Sequence, residues 1–161
     1  MYSIGEKVAY PMHGACVVMG IEEQVVGDVP RKYYMLRPYH SQMQIMVPLD
    51  SAKKVGMRDV TGIEEMETVY EILTSEATPM PSNWNKRNRE NMDKLKTGDI
   101  HQVAEVVRNL MRADHKKKLS TGEKKMLTTA KNLLISEIII AKDISPDDAA
   151  KEIEIAVFGE D

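Results

Sequence analysis

Few places in this chain carry residues whose types and spacing could do chemistry. The one tryptophan stands in Pro81-Ser82-Asn83-Trp84-Asn85-Lys86-Arg87-Asn88-Arg89, with bases two, three and five positions after it. An aromatic wedge flanked by cations can press against an opened base step while the cations hold phosphates, a contact that supplies affinity without sequence information. An ordinary core or helix-staple role also fits Trp84, although a helical face through it would pass Asn88, Asn91 or Met92, and Leu95, a weakly apolar stripe. Both readings stand at this point. Enzyme signatures are missing: there is no G-x-x-x-x-G-K-[ST], G-x-S-x-G, H-E-x-x-H or C-x-x-C. His13, His40, His101 and His115 are scattered, and His13 beside Gly14 reads as part of a turn. Glu64-Glu65 and Asp147-Asp148 fall in expected first helical turns, where the helix dipole accounts for them. Cys16, the single cysteine, lies in an apolar strand-like run and reads as a small buried hydrophobe. The expectation is a protein without catalytic residues, metal or cofactor.

The elements that must position Trp84 change period along the chain. Up to about residue 60 the pattern is strand-like: Lys7–Pro11, Ala15–Ile21, Gln24–Val26, Arg31–Leu36 and Met43–Val47, with Gly27-Asp28 as a turn signal and Pro48 as a stop. Short strands at this spacing are expected to close into a small antiparallel barrel, which removes exposed edges. From Thr61 the period becomes helical. Thr61-Gly62-Ile63-Glu64 and Ser120-Thr121-Gly122-Glu123 fit capping boxes, Ser82 and Asp99 fit N-caps, and Ser145-Pro146 opens a last helix. Prolines in the stretch at about 75–82 mark a connection between the first helix and the rest. The expected fold is α+β in two domains: a small antiparallel β-barrel at 1–60 followed by an all-α helical bundle at 61–161.

Charge is segregated along these elements. The chain has 161 residues, 42% hydrophobic and 29% charged, with a net charge of −3. Residues 1–62 carry 7 bases and 6 acids, a net of +1, and residues 63–80 carry five glutamates and no base, a net of −5. Residues 81–131 carry 13 bases and 6 acids, a net of +7, and residues 132–161 carry 2 bases and 8 acids, a net of −6. The +7 block contains Trp84. It reads either as a phosphate-binding surface or as a solvated helix face, because local potential and not net charge governs polyanion contact. No run is long and apolar enough for a membrane span, and Met1-Tyr2-Ser3-Ile4 starts without a basic n-region, so no secretory leader is expected. A cytoplasmic protein is expected, and a monomer is favoured.

The sequence resembles the CarD/CdnL family of bacterial transcription regulators over essentially its whole length. The resemblance rests on Val8-Ala9-Tyr10-Pro11-Met12-His13-Gly14, Met46-Val47-Pro48, Val55-Gly56-Met57-Arg58, Ser82-Asn83-Trp84, Lys96-Thr97-Gly98-Asp99, Val103–Leu110, Leu119-Ser120 and Gly122–Leu127 in that order and spacing. It implies a Tudor-like N-terminal barrel that docks on the RNA polymerase β subunit, akin to the polymerase-binding module of the transcription-repair coupling factor. It also implies a helical domain touching promoter DNA, without sequence preference, at the upstream edge of the melted region, so that the protein reaches the nucleoid through polymerase. By that resemblance Trp84 is the minor-groove wedge that stabilises the open complex. Lys86, Arg89 and Lys124 match DNA-contacting positions, with Arg87 and Lys125 beside them. Polymerase contacts map near Gln24 and Met46, where some members carry arginine; here they shift toward methionine and main-chain pairing. The competing expectation is a protein–protein adaptor of polymerase or another complex, without direct DNA contact.

Overall fold

The computed structural model describes residues 1–159 and shows an α+β fold: a five-stranded antiparallel sheet followed by five helices. The strands are β1 (Lys7–Tyr10), β2 (Gly14–Val26), β3 (Val29–Pro38), β4 (Ile45–Pro48) and β5 (Arg58–Asp59), in the order β4-β3-β2-β1-β5. The helices are α1 (Ile63–Thr74), α2 (Trp84–Lys96), α3 (Ile100–Lys116), α4 (Thr121–Lys142) and α5 (Pro146–Phe158).

The expected barrel does not close. Among the described residues β4 and β5 remain the two edges, because β4 has four residues and pairs only with β3, while β5 has two and pairs only with β1 at Val8–Asp59 and Ala9–Arg58. Closure needs a ladder between first and last strands, and after Asp59 the chain leaves at once for α1. A register shift between Val18 and Gly20 bends β2, and past the bend β2 and β3 run on as a hairpin turned at Gly27-Asp28. Gly27 takes φ of 67°, a left-handed conformation that the tight turn requires. The sheet has its own core of Val8, Cys16, Val18, Tyr34, Leu36, Val47, Ala52 and Met57.

The helices enclose a second core. Its centre is α3, which buries the expected stripe Ile100, Val103, Ala104, Val107, Leu110 and Met111 against Met126, Ala130, Leu133, Leu134 and Ile138 of α4. Asp99 caps α3, Ser120 caps α4 and Ser145 caps α5, with Pro146 in its first turn. Two expected caps move. Ser82 is displaced by Asn83, whose side chain accepts from the Lys86 amide at 3.0 Å. Thr61 does not cap α1: Gly62 stands at that position without a side-chain bond, because the Thr61 hydroxyl is drawn 2.9 Å away to Glu137.

That bond belongs to the joint between sheet and helices. Glu137, on α4, accepts from Arg58 Nη1 and Nη2 at 2.8 and 2.9 Å and from the Thr61 amide at 3.0 Å. Arg58 also donates to the Gly98 carbonyl ahead of α3. Ser136 Oγ accepts from the Ala15 amide at 3.0 Å, and Gly14 (φ 69°) comes so close that a Cβ there would lie 2.5 Å from that oxygen. Glycine at 14 therefore serves both the turn and the approach of α4.

The connection from Ser75 to Ser82 is held, although it lacks regular structure. Buried Arg108 donates to Ile72 O and Ser75 Oγ, Arg112 donates to the carbonyls of Leu73, Thr74 and Ser75, and Asn109 exchanges hydrogen bonds with Thr78. Two guanidinium groups thus meet the negative end of α1 and supply donors to carbonyls that the helix itself leaves unpaired.

Candidate nucleic-acid interface

Trp84 is the first residue of α2, held there because Asn83 breaks from the extended connection and caps the turn. Trp84 is 45% exposed, one of the few large hydrophobic residues left open in the helical part. The face it heads does turn inward further on, with Asn91 and Leu95 buried and Asn91 bonded to Met80. Trp84 is partly covered and lies near the start of α4: a Cβ on Gly122, the second residue of α4, would sit 3.6 Å from its Cζ2. The first turns of α2 and α4 therefore lie side by side, and both present helix N-termini, which favour anions.

Four of the candidate cations stand on the first two turns of these helices. Lys86, Arg89 and Lys125 are exposed and Lys124 is half-buried. Among the described residues, no ion pair or hydrogen bond engages the side chain of any of the four. Arg87 is placed differently. Its Nε and Nη2 meet Glu123 at 2.7 and 3.0 Å, and Nη1 donates to the Pro81 carbonyl at 3.3 Å. The Arg87 hydrogen bond, helped by its charge and outweighing burial, holds the Glu123 carboxyl below its ordinary range. Sequence reasoning missed Glu123, which it read only as the acid of a capping box. The Ser120 end of that box forms, but the carboxylate turns away to Arg87 and takes the Ser120 hydroxyl as well.

Gln24 and Met46, on neighbouring parts of the sheet, come together: Gln24 Nε2 lies 3.9 Å from Met46 Sδ, and both are exposed. Around them Val25, Val26 and Val29 at the hairpin end and Met43 before β4 are also exposed. β4 offers a free strand edge beside this apolar patch.

The remaining polar candidates have local employment. His13 stacks on Tyr10 in the β1–β2 turn, His115 packs against Phe158, and His101 sits between Asp99 and Glu65. Among the described residues no group of three or more His, Cys, Asp or Glu side chains could hold a metal ion, and no helix is long and apolar enough to cross a membrane. A groove of about 1040 Å³ opens between the sheet and the start of α3, lined by Tyr2, Met57 and Glu65 among others, and none of the basic candidates borders it.

Comparison with known proteins decides the family. The model described as "CarD, C-terminal domain" matches residues 68–154, more than half of the chain, and that described as "CarD-like/TRCF RID domain" matches residues 2–61. The chain belongs to the CarD family. Among curated proteins, this CarD-family chain is 38% identical over 145 residues to "Putative transcription factor YdeB" of Bacillus subtilis (strain 168), spanning 90% of the chain and 95% of that relative. The family places this CarD-like chain among transcription-related proteins.

Proposed function

We propose that the chain is a non-enzymatic regulator of transcription initiation. Its sheet docks on the RNA polymerase β subunit, and the first turns of α2 and α4 contact promoter DNA at the upstream edge of the bubble. The observation that carries this reading is the half-exposed Trp84 set on a capped helix start among four open cations, Lys86, Arg89, Lys124 and Lys125. Docking raises the local concentration of a DNA-binding surface that is weak by itself. Trp84 then enters the minor groove at the fork, where unstacking is already partly complete and the wedge's cost of a few kcal/mol per step falls. The cations hold phosphates and add no sequence preference. On the polymerase side, Gln24, Met46 and the β4 edge support strand pairing reinforced by apolar contact. This mode of action gives a cytoplasmic protein, associated with the nucleoid through polymerase.

The test is affinity capture with the full chain from a bacterial lysate. Recovery of polymerase through its β subunit is expected, and Met46→Asp, which puts a charge on the exposed patch, is expected to reduce it while the melting temperature holds. Failure to recover polymerase, or recovery unchanged by Met46→Asp and by Gln24→Asp, counts against docking at this face.

A further inference from the structure

Arg87 joins three pieces of backbone. Its guanidinium fork spans both oxygens of Glu123 on α4, while its remaining nitrogen binds the Pro81 carbonyl at the end of the connection into α2. Glu123 is buried and also receives the Ser120 hydroxyl, so the carboxylate is fixed to the cap of its own helix. Trp84 lies on the same first turn of α2 as Arg87, and its ring edge lies close to Gly122, the neighbour of Glu123, where a Cβ would sit 3.6 Å from Cζ2. First helical turns fray, and Trp84 has no residue of its own helix before it except the Asn83 cap.

We infer that Arg87 and Glu123 are positioning residues: a two-point clamp between the first turns of α2 and α4 that fixes Trp84 above Gly122 and makes no contact with nucleic acid itself. The inference rests on the reading of Trp84 as the wedge and assigns the base nearest to it a different task from that of its neighbours. A planar fork matched to a carboxylate fixes angle as well as distance, which a lysine at 87 does not do. With both charges opposed, the pair adds nothing to the field met by phosphate, whereas Lys86, Arg89, Lys124 and Lys125 each do. A wedge held in its working orientation loses less freedom on insertion, and that saving is the gain from the clamp.

The experiment measures open-complex lifetime with full-length chain and polymerase, and the salt dependence of its binding to forked DNA. Arg87→Met is expected to shorten the lifetime by about fivefold, the range a partly exposed ion pair supplies, with the salt slope unchanged. Glu123→Gln releases the Arg87 charge and is expected to steepen the log–log slope by about 0.9 while the lifetime falls. Arg87→Met with Glu123→Met restores an apolar clamp of similar volume, so the lifetime is expected to return to within about twofold of the parent. A slope reduced by about 0.9 in Arg87→Met, with no recovery in the double variant, would make Arg87 a phosphate contact and overturn the inference. Circular dichroism melts establish folding, and where Arg87→Met fails to fold, Glu123→Gln and the double variant decide.

Trp84→Ala in the same lifetime assay separates the two levels. If it has no effect, the wedge reading fails, and the clamp is read from acrylamide quenching of the chain's single tryptophan. Arg87→Met is expected to raise that quenching, and unchanged quenching refutes the clamp.

Discussion

Replacing Glu137 with alanine tests how sheet and helices are held together. The side chain is 3% exposed and accepts four hydrogen bonds, two from Arg58 and two from the amide and hydroxyl of Thr61. Removing it strands a guanidinium and a main-chain donor. Breaking a buried pair costs about 3–5 kcal/mol, and the Arg58 side chain is 32% exposed, so water recovers part of that. The Gly98 carbonyl also keeps part of the fork engaged. About 3 kcal/mol remains, and for a chain of this size each kcal/mol moves the melting temperature by roughly 2–4 °C, giving about 6–12 °C. Glu137→Gln keeps an acceptor for Thr61 and is expected to lose about half as much. Differential scanning calorimetry on both variants gives the numbers. An added double variant, Arg58→Met with Glu137→Met, is expected to recover much of the loss, because well-packed apolar residues replace such a pair at little cost. A shift below about 2 °C for Glu137→Ala refutes the assignment of this cluster as the joint.

Further expectations concern pH and thiol reactivity. The hydrogen bond from Lys142, reinforced by that from Tyr70 against the effect of burial, holds the Glu152 carboxyl below its ordinary value of 4.5. A carboxyl depressed in the folded state stabilises fully above its unfolded value, and that share is lost as pH falls below 4.5 through the folded one. Glu123 behaves in the same sense. Thermal melts from pH 6 downward are expected to decline less steeply in Glu152→Gln, and identical acid limbs contradict the pairing. Cys16 is fully buried, and burial pushes its thiol up to about 12. It is expected to resist a maleimide at pH 8 until the chain unfolds, so prompt labelling of the native protein contradicts its placement.

How far the sequence foretold the structure varies with the range of the interactions. α3 and α4 were legible because their apolar periodicity, caps and core positions are local properties of the chain. Most strand positions were legible for the same reason, but the expected Ala15–Ile21 and Gln24–Val26 prove to be one strand, β2, and the two-residue β5 was not foreseen. Barrel closure was not, since it turns on whether β4 and β5 reach each other, and the shortness of β5 follows from where the chain must turn toward α1. Thr61 shows the limit of a motif: spacing fits a capping box, yet a carboxylate 76 residues away offers a buried partner that the helix start does not. Glu123 is the same lesson at the candidate site. Its spacing from Ser120 was readable, whereas its pairing with Arg87 depends on α2 and α4 lying side by side. Residue pattern alone anticipated the α+β fold class and singled out Trp84, but local chemistry set Arg87 apart from the open cations around it.

The most direct test of the account is the lifetime of the open promoter complex with polymerase, promoter and either parent chain or Trp84→Ala. With polymerase recovery through the β subunit unchanged, the account expects Trp84→Ala to bring the lifetime down toward that of polymerase alone. A lifetime equal to the parent's, at equal occupancy of polymerase, contradicts the wedge and with it the proposed mechanism.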